Sequence, residues 1–347
     1  MSSLTPDQKQ NVGFALNLSE DQSLKSSERI VLTSKNLPEV AKGQVLVKML
    51  ATPANPSDLV YLIGKYGLPP QNNAYVGFEG CGVVIKANAG LYGKWLVGKR
   101  VALSAQPGID GLWAKYAVTK ANYCLPVRND IDDAQASTLI VNPCTSVCLV
   151  ERAKELGAKA IVINAAASQV GKGAIKYAKL LGLKTIATVR SQSNVTALKQ
   201  LGADEVLNIT NDSFDEQLKQ TCAKYNSNVF LDSVAADDTA RTLKAMPNKS
   251  TAIVYGRLTE TQDAFGGIFS VADIIFREIK IEGFWLANYI GKAKPWQVLA
   301  LSRKVQKLFA QGVFKTDIHA TVGFNDFPES LDHYAQNKSD GKVILIP

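Results

Sequence analysis

The chain has 347 residues, of which 46% are hydrophobic and 20% charged, and this balance excludes wholesale disorder. Its net charge of +8 is carried by dispersed basic residues, so nucleic-acid binding is not indicated, although the charge suits the phosphates of a cofactor. The sequence has neither an apolar run of the ~18–20 residues that cross a bilayer nor an amino-terminal leader, so we expect a cytoplasmic protein that does not enter membranes.

The chain before residue 140 is rich in predicted strands. Its apolar, β-branched runs are separated by clusters of Gly, Pro and Asn, and none alternates with a long helical pattern. The runs are QVLVKML (44–50), GCGVVIKA (80–87), GKRVALSA (98–105) and LWAKYAV (112–118). The pattern predicts an antiparallel β-rich domain.

From residue 145, strand-like and helix-like segments alternate. The predicted strands are AIVIN (160–164), TIATV (185–189), EVLNI (205–209), NVFLDSV (228–234) and TAIVYG (251–256). The alternation is typical of an α/β protein with a parallel, doubly wound (Rossmann) sheet. The C-terminal segment loses this pattern and ends in the strand-like KVILIP. We therefore predict a Rossmann domain over 140–287 and a β-rich domain over 1–139 and 288–347.

The segment NAAASQVGKGA (164–174) lies between the first predicted parallel strand and its helix. A dinucleotide pyrophosphate binds at this place, on backbone N–H groups at the helix N-terminus. Of the usual G-x-G-x-x-G glycines only the third remains, because the first two are replaced by Ala166 and Ser168. Two interpretations fit the segment by itself. One is a turn of small residues without nucleotide, and the other is a phosphate loop formed by Ser168, Gln169, Val170 and Gly171.

Arg190 directly follows the next strand, in TIATVRS. A site that prefers NAD carries Asp or Glu at this place to hold the ribose 2′-hydroxyl, whereas arginine accommodates a 2′-phosphate. The alternative is a solvated arginine at a strand end. Together, the loop and Arg190 favour NADPH as the cofactor.

The order of motifs along the chain resembles the medium-chain dehydrogenase/reductase superfamily, and within it the zinc-free quinone oxidoreductases and 2-enoyl thioester reductases. The motifs are ANPSDL (54–59), GKYG (64–67), GFEG (77–80), VGKRVA (97–102), VNPCT (141–145), NAAASQVG (164–171), TVR (188–190), LGADEV (201–206), LDSV (231–234), YGR (255–257), EGFWL (282–286) and GKVIL (341–345). NPCT, TVR and GFWL are more similar to the enoyl reductases. The resemblance implies a chaperonin-10-like catalytic domain beside the Rossmann domain, with the active site in the cleft.

The resemblance also implies cofactor contacts from four other segments. These residues are Asn142 and Thr145 in VNPCT, Tyr255, Gly256 and Arg257 at the end of the fifth strand, Phe284 and Trp285 in EGFWL, and Lys342 in DGKVIL. Lys342 would reach the 2′-phosphate side of the cofactor. The alternatives are an ordinary first-turn helix residue for Thr145, interface packing for the two aromatic residues, and a solvated lysine for Lys342.

Two residues are the catalytic candidates that the resemblance implies. Tyr66, in GKYG, matches a tyrosine above the substrate carbonyl, where a phenol can bind the developing enolate oxygen or donate a proton after hydride arrives. Asn55 matches an asparagine that lines the nicotinamide end of the cofactor. The alternatives are a packing role for Tyr66 and a turn before Pro56 for Asn55.

Zinc is not expected. Zinc alcohol dehydrogenases of this superfamily place a ligand cysteine and a ligand histidine where this chain has Asn55 and Phe78. The five cysteines are too widely spaced for a structural zinc site, and we interpret them as reduced thiols. The two histidines, His319 and His333, both fall in the C-terminal segment and are expected at the surface.

These observations predict an NADPH-dependent, zinc-independent oxidoreductase that transfers hydride to a small electron-poor acceptor. The leading acceptor is the C=C bond of an α,β-unsaturated carbonyl or enoyl thioester, and a quinone is the alternative. A non-enzymatic NADPH-binding sensor or structural protein is a second class of hypothesis, and RNA binding is a weaker third. A homodimer is implied by the resemblance, with EGFWL as an edge strand that pairs across subunits.

Overall fold

A computed structural model describes residues 10–258 and 269–347 of the chain. The chain divides into two compact units. The β-rich unit comprises Met1–Val141 and Pro295–Pro347, and the parallel-sheet unit comprises Asn142–Lys294. These divisions fall shortly after the predicted boundaries at residues 139 and 287.

The strands, in chain order, are β1 (Gln10–Leu16), β2 (Ile30–Asn36), β3 (Gln44–Pro53), β4 (Glu79–Asn88), β5 (Arg100–Ser104), β6 (Tyr116–Lys120), β7 (Cys124–Pro126), β8 (Ala160–Ile163), β9 (Lys184–Val189), β10 (Glu205–Asn208), β11 (Val229–Asp232), β12 (Thr251–Val254), β13 (Lys280–Gly283), β14 (Ile318–Val322) and β15 (Lys342–Leu345). The helices are α1 (Pro56–Leu62), α2 (Gly90–Leu96), α3 (Asp133–Ala136), α4 (Val141–Glu155), α5 (Gln169–Leu180), α6 (Ser193–Leu201), α7 (Phe214–Tyr225), α8 (Asp237–Ala245), α9 (Val271–Phe276), α10 (Leu286–Lys292), α11 (Pro295–Ala310) and α12 (Phe327–Gln336).

The β-rich unit contains a larger sheet and the hairpin β1–β2. The larger sheet has the order β14-β15-β3-β4-β5-β7, and β6 pairs with the first half of β3. All pairs in it are antiparallel except β14–β15. The prediction of an antiparallel β-rich domain is therefore confirmed. The sequence pattern did not predict α11, which occupies the segment where strand and helix cease to alternate.

The parallel-sheet unit has the strand order β10-β9-β8-β11-β12-β13, and every pair is parallel. Counted within the unit, this order is 3-2-1-4-5-6, which is that of a doubly wound dinucleotide-binding sheet. The predicted fold class is thus confirmed. The sixth strand, β13, lies at the sheet edge and overlaps the predicted edge strand EGFWL at Glu282 and Gly283. The sequence pattern did not predict its first two residues, Lys280 and Ile281, as a strand.

Continuous apolar runs form the centre of this sheet because both of its faces are covered. All four residues of β8 are fully buried. One face packs against α7 and α8 through a cluster that includes Val162, Phe214, Phe230 and Leu243. Among the described residues, no helix is both long enough and apolar enough to span a membrane.

Candidate functional site

The predicted phosphate loop forms the start of α5. Ser168 is the N-cap residue, and its Oγ accepts a hydrogen bond of 3.1 Å from Gly171 N. Ala165, in the turn before it, has a φ of 41°, a left-handed conformation that non-glycine residues seldom adopt. The turn thus brings the first N–H groups of a twelve-residue helix to the carboxyl end of β8, where the helix dipole favours an anion.

Gly171 packs directly on the loop that precedes its helix. A Cβ atom at this position would lie 2.6 Å from the carbonyl oxygen of Ala166 and 2.7 Å from its Cα. A backbone contact this short leaves no room for any side chain. The one glycine retained from the nucleotide-binding pattern is therefore required by the path of the loop itself.

Arg190 is exposed directly after β9, the strand next to β8. Two serines follow it at the start of α6, and their hydroxyl oxygens, Ser191 Oγ and Ser193 Oγ, are 2.7 Å apart. Burial raises the pKa of the Asp238 carboxyl, and the positive charge of Arg190 acts in the opposite direction and lowers it. A guanidinium and two hydroxyl groups at one strand end form a donor set that suits a phosphate. The sequence pointed to the arginine and missed the serines.

A buried polar network joins the ends of the two central strands. Asn164 Nδ2 donates to Asp232 Oδ1 at 2.6 Å and to Asp238 Oδ2 at 2.8 Å, and Asn164 Oδ1 accepts from Ser233 N at 2.8 Å. Asp232 also accepts from Ala235 N at 2.9 Å. The network fixes the loop after β11 beside the start of α5. Sequence analysis missed it, although both NAAAS and LDSV place a polar residue directly after a buried strand.

Four polar atoms in this unit are buried without a hydrogen-bond partner among the described residues: Asn142 Nδ2, Thr185 Oγ1, Asn228 Oδ1 and the Tyr255 hydroxyl. The Tyr255 hydroxyl lies near Ser233 but does not reach hydrogen-bond geometry with it. A buried donor without a partner carries a desolvation cost, and a bound ligand would remove that cost. Asn142 is the second residue of α4, and its carbonyl accepts from Ser146 Oγ at 2.9 Å. Ser146 Oγ also lies 3.0 Å from Val170 O, so it connects α4 with the start of α5.

The remaining candidates of this unit also follow its strands. Gly256 and Arg257 follow β12 and Tyr255, and Arg257 is exposed. Phe284 follows β13, and its N–H donates to Val254 O at 2.8 Å. Trp285 caps α10 and is 39% exposed, so both ligand contact and interface packing remain open for it. Thr145 is buried within the first turns of α4.

The arrangement fits a dinucleotide phosphate. It offers helix N–H groups at residues 168–171, a guanidinium at Arg190 one strand away, and two of the four unpartnered buried polar atoms, Asn142 Nδ2 and the Tyr255 hydroxyl. The strand order supplies the topological switch between β8 and β11 at which such ligands bind.

In the β-rich unit, Asn55 lies between buried charged residues. Its Oδ1 accepts from Lys342 Nζ at 2.5 Å, and its Nδ2 donates to Glu79 Oε1 at 3.0 Å. Lys342 Nζ also donates to Ala54 O at 3.1 Å and to the Tyr334 hydroxyl at 3.0 Å. Lys342, Asn55 and Glu79, together with Asp58, form what we call the buried charge cluster.

Every carboxylate oxygen of the cluster accepts at least one N–H donor. Asp58 accepts from Asn55 N at 2.7 Å and from Phe78 N at 3.1 Å, which caps the start of α1. The second oxygen of Glu79 accepts from the backbone N–H of Ile140 and Val141. Burial raises the pKa of Asp58 to about 7 and also raises the pKa of Glu79, while it lowers the pKa of Lys342 to about 8.

This geometry differs from two sequence-based expectations. Lys342 is 2% exposed and its ammonium is bound by three oxygens, which does not agree with a role at the 2′-phosphate. Asn55 is fully buried, and both ends of its amide are bound within the cluster, so it does not present a side chain to the nicotinamide. Both differences have one physical cause: a polar residue at the start of an element pairs with groups that are buried and distant in the sequence, and not with the cofactor.

Tyr66, the other catalytic candidate, lies in the loop after α1. Its ring packs on Phe78 with a centroid distance of 5.0 Å, and Tyr61 contacts the same ring edge-on at 5.3 Å. The hydroxyl of Tyr61 accepts from Gln71 N at 3.0 Å, which anchors the end of this loop. Tyr66 is partly exposed, so its position is compatible with contact to a ligand.

Comparison with known proteins extends the likeness to nearly the whole chain. Residues 41–129 match the family model described as alcohol dehydrogenase GroES-like domain, and residues 170–303 match the one described as zinc-binding dehydrogenase. The mitochondrial enoyl-[acyl-carrier-protein] reductase of Bos taurus is 31% identical over 91% of this chain and 84% of its own, and that of Xenopus tropicalis is 32% identical over 91% and 90%. A solved structure of a candidate NADPH:quinone reductase from Mesorhizobium loti superposes with a TM-score of 0.89 at 30% identity, covering 99% of this chain and all of its own.

The residues at the positions where zinc enzymes of the superfamily carry their ligands do not fit the zinc ion that one family description implies. Asn55 Oδ1 is already bound by the Lys342 ammonium, whose charge repels a divalent cation, and Phe78 offers no ligand atom. All five cysteines are buried, and burial raises the pKa of Cys81, Cys124 and Cys222 to about 12, far from the thiolate that zinc requires. No catalytic step is therefore assigned to zinc.

Proposed function

The chain belongs to the medium-chain dehydrogenase/reductase superfamily, among its enoyl and quinone reductases, and we propose that it reduces the C=C bond of an α,β-unsaturated carbonyl or enoyl thioester with NADPH. The observation that carries this proposal is the 31–32% identity with curated enoyl reductases over 91% of the chain. The donor set at the parallel sheet, formed by residues 168–171 and Arg190, supports it because these groups suit a phosphorylated dinucleotide.

In this proposal the parallel-sheet unit holds NADPH. The N–H groups of Ser168–Gly171 bind the pyrophosphate, and Arg190 with Ser191 and Ser193 binds the 2′-phosphate. Asn142 and Tyr255 contact the nicotinamide end of the cofactor, which would supply hydrogen-bond partners for their buried polar atoms. Phe284 and Trp285, with the strand-end residues Gly256 and Arg257, would line the same end.

NADPH supplies the hydride, which adds to the β-carbon of the acceptor. The electron pair of the C=C bond then moves to the α-carbon and carbonyl oxygen as an enolate, and a proton must follow. We assign the hydrogen bond to this oxygen, or the donation of that proton, to the phenol of Tyr66. Its packing on Phe78 would restrict the ring and lower the entropy lost in orienting it.

Quinone reduction is the second candidate because of the likeness to the Mesorhizobium loti structure. A quinone accepts hydride and ends as a hydroquinone after protonation on oxygen, which solvent can supply. Reduction of a quinone therefore depends less on a placed phenol, and this difference separates the two functions experimentally.

The test is NADPH oxidation by wild type and by Tyr66→Phe against a short-chain enoyl thioester, an enone and a benzoquinone. We expect the enoyl rate of the variant to fall about 100-fold, within the range of general acid–base contributions, while a quinone rate changes little. Tyr61→Phe is the comparison variant, because it removes a phenol from a ring that packs on the same Phe78, together with the hydrogen bond from Gln71 N.

Equal losses in Tyr66→Phe and Tyr61→Phe would assign Tyr66 to packing. A rate with quinone alone would establish the second candidate. Saturable NADPH binding without turnover of any of the three acceptors would instead support the non-enzymatic hypothesis.

We also propose a homodimer formed through the β13 edge. β13 pairs with β12 on one side, and its other side faces no strand within the described residues. Nearby α9 exposes Val271 (66%), Ile275 (60%) and Phe276 (81%), an apolar surface that a second copy would cover. Light scattering of wild type and Phe276→Asp tests this, because the variant should be monomeric.

The compartment stays a prediction. We propose the cytoplasm, whereas the relatives from Bos taurus and Xenopus tropicalis are mitochondrial enzymes by name. Fractionation of cells that express the chain with a C-terminal tag would decide between the two.

A further inference from the structure

The two histidines of the sequence lie next to each other in the folded β-rich unit. His319 is in β14 and His333 is in α12, and their rings stack with centroids 4.5 Å apart and an interplanar angle of 12°. Asp340 lies beside them, with its Oδ2 3.4 Å from His333 Nε2. Among the described residues, these three form the group whose histidine, cysteine or carboxylate atoms are close enough to share a metal ion.

The backbone fold, rather than the side chains alone, brings the three residues together. The parallel pairing of β14 and β15 starts at Ile318 and Lys342, and Lys342 N donates to Asp317 O at 2.7 Å. Gly341 has a φ of 128°, and a Cβ there would lie 2.8 Å from His319 N. A glycine is therefore needed for the segment that carries Asp340 to pass this close to β14.

Hydrogen bonds after the end of α12 fix the position of Asp340, the third residue of the group. Asn337 N donates to His333 O at 2.9 Å, and Asp340 N donates to Asn337 O at 3.1 Å. These bonds turn the chain back toward the helix, so Asp340 faces the ring of His333. The candidate ligands are thus held by a strand, a helix end and a tight turn.

The spacing of the ligand atoms suits a small tetrahedral ion. Zinc binds histidine nitrogen and carboxylate oxygen at about 2.0–2.2 Å, so two ligands of a tetrahedral site lie about 3.3–3.6 Å apart. The 3.4 Å separation of His333 Nε2 and Asp340 Oδ2 already equals one such edge. All three ligand atoms lie within 4.8 Å of one another, and the stacked ring of His319 has to turn for the three atoms to share one ion.

We propose that His319, His333 and Asp340 bind a divalent transition-metal ion of the zinc class, with water at the remaining position. Two imidazoles favour zinc, nickel or copper over magnesium and calcium, which prefer all-oxygen sites. The ion joins α12, β14 and the turn before β15, and it stabilises the C-terminal part of the β-rich unit. The site is separate in sequence from Asn55 and Phe78, the positions at which zinc enzymes of the superfamily carry ligands.

The test is calorimetric titration of the chelator-treated full chain with zinc chloride at neutral pH, alongside magnesium chloride. We expect one zinc per chain, no magnesium binding, and a melting temperature that rises with zinc concentration. His319→Ala, His333→Ala and Asp340→Asn should each weaken zinc binding at least about tenfold, a loss reported even for outer partners of metal ligands.

Asp326→Asn is the matched control for Asp340→Asn, because it removes a carboxylate exposed at the other end of α12. Circular dichroism verifies that each variant is folded, and the double variant His319→Ala/His333→Ala should show no zinc-dependent change in melting temperature. Absence of zinc binding in wild type would overturn the proposal and leave the histidines as a stacked packing pair. Binding that is unchanged in the double variant would equally overturn it, by placing the ion elsewhere.

Discussion

The ammonium of Lys342 donates a hydrogen bond of 2.5 Å to the amide oxygen of Asn55, a residue 287 positions earlier in the chain. Through the same amide, the lysine is connected to the buried carboxylate of Glu79. One lysine thus connects the last strand with the start of α1 and with β4. Because the surroundings exclude water, the loss of any member leaves an uncompensated charge or an unpaired polar group.

Lys342→Met should therefore destabilise the protein strongly. Removal of one partner from a buried ionic group costs about 3–5 kcal/mol, and we expect a loss of this size in the free energy of unfolding measured with urea. Lys338→Met is the matched control, since Lys338 is exposed and the same change there should cost less than about 0.5 kcal/mol. Adding Glu79→Gln to Lys342→Met should recover part of the loss, because one negative charge is removed with the positive one. A double variant less stable than either single variant would contradict this account.

The raised pKa of the Asp58 carboxyl predicts how the free energy of unfolding depends on pH. Burial raises the pKa of its carboxyl from 3.8 to about 7, with Glu79 acting in the same direction and Lys342 against it. Between these two values the folded state holds a proton that the unfolded state has released. The contribution of Asp58 to stability is thus most favourable below pH 4 and is lost as the pH rises toward 7.

Comparison of Asp58→Asn with wild type isolates this contribution. The asparagine lacks one of the two side-chain oxygens that accept backbone N–H groups, so the variant is less stable than wild type at pH 4. The difference in the free energy of unfolding should shrink between pH 4 and pH 7, because wild type loses the contribution of Asp58 over this range. Asp237→Asn, at an exposed position, should show a difference that does not vary over this range. A constant difference for Asp58→Asn would mean that the carboxyl stays ionised throughout, held by its two N–H donors.

The sequence predicted the parallel-sheet unit well because its information is local. AIVI and VFLD are continuous buried runs, and Ser168 and Gly182 mark the two ends of α5. The buried charge cluster could not be predicted in this way, because Asn55 and Lys342 are buried and paired only through contacts between the two ends of the chain. In the sequence alone, each is an ordinary polar residue beside a proline or a strand.

The same limit applies to the loops at the carboxyl edge of the parallel sheet. A single residue that is typical of nucleotide sites, such as Arg190, can be recognised by how many residues separate it from the glycine loop in the sequence. The network of Asn164 and Asp232 depends on which strands are neighbours, and the pairing of β8 with β11 skips two intervening strands. A buried polar residue directly after an apolar strand was the one available signal.

Arg190→Glu should change the cofactor preference. The variant replaces a guanidinium that would bind the 2′-phosphate with a carboxylate that repels it, and a charged hydrogen bond contributes about 1.5–3 kcal/mol. We expect the Kd for NADPH, measured by fluorescence titration, to rise at least about tenfold while that for NADH changes little. Lys199→Glu makes the same charge change at an exposed position of α6 and should affect both cofactors weakly. Equal losses for NADPH and NADH would remove Arg190 from the 2′-phosphate site.

The loop after β11 stores backbone strain that a glycine should release. Ala236 has φ 56° and ψ −139°, next to Ala235 at φ 66°, and such conformations cost a non-glycine residue about 1–3 kcal/mol. Ala236→Gly should therefore raise the free energy of unfolding by about 1 kcal/mol, even after the larger backbone entropy of the unfolded glycine is subtracted. Ala240→Gly, in the middle of α8, is the matched control and should lower it by about 1 kcal/mol. Because Asp232 holds this loop beside the start of α5, the more flexible glycine variant should also bind NADPH more weakly. If Ala236→Gly lowers stability as much as Ala240→Gly, the loop is not strained.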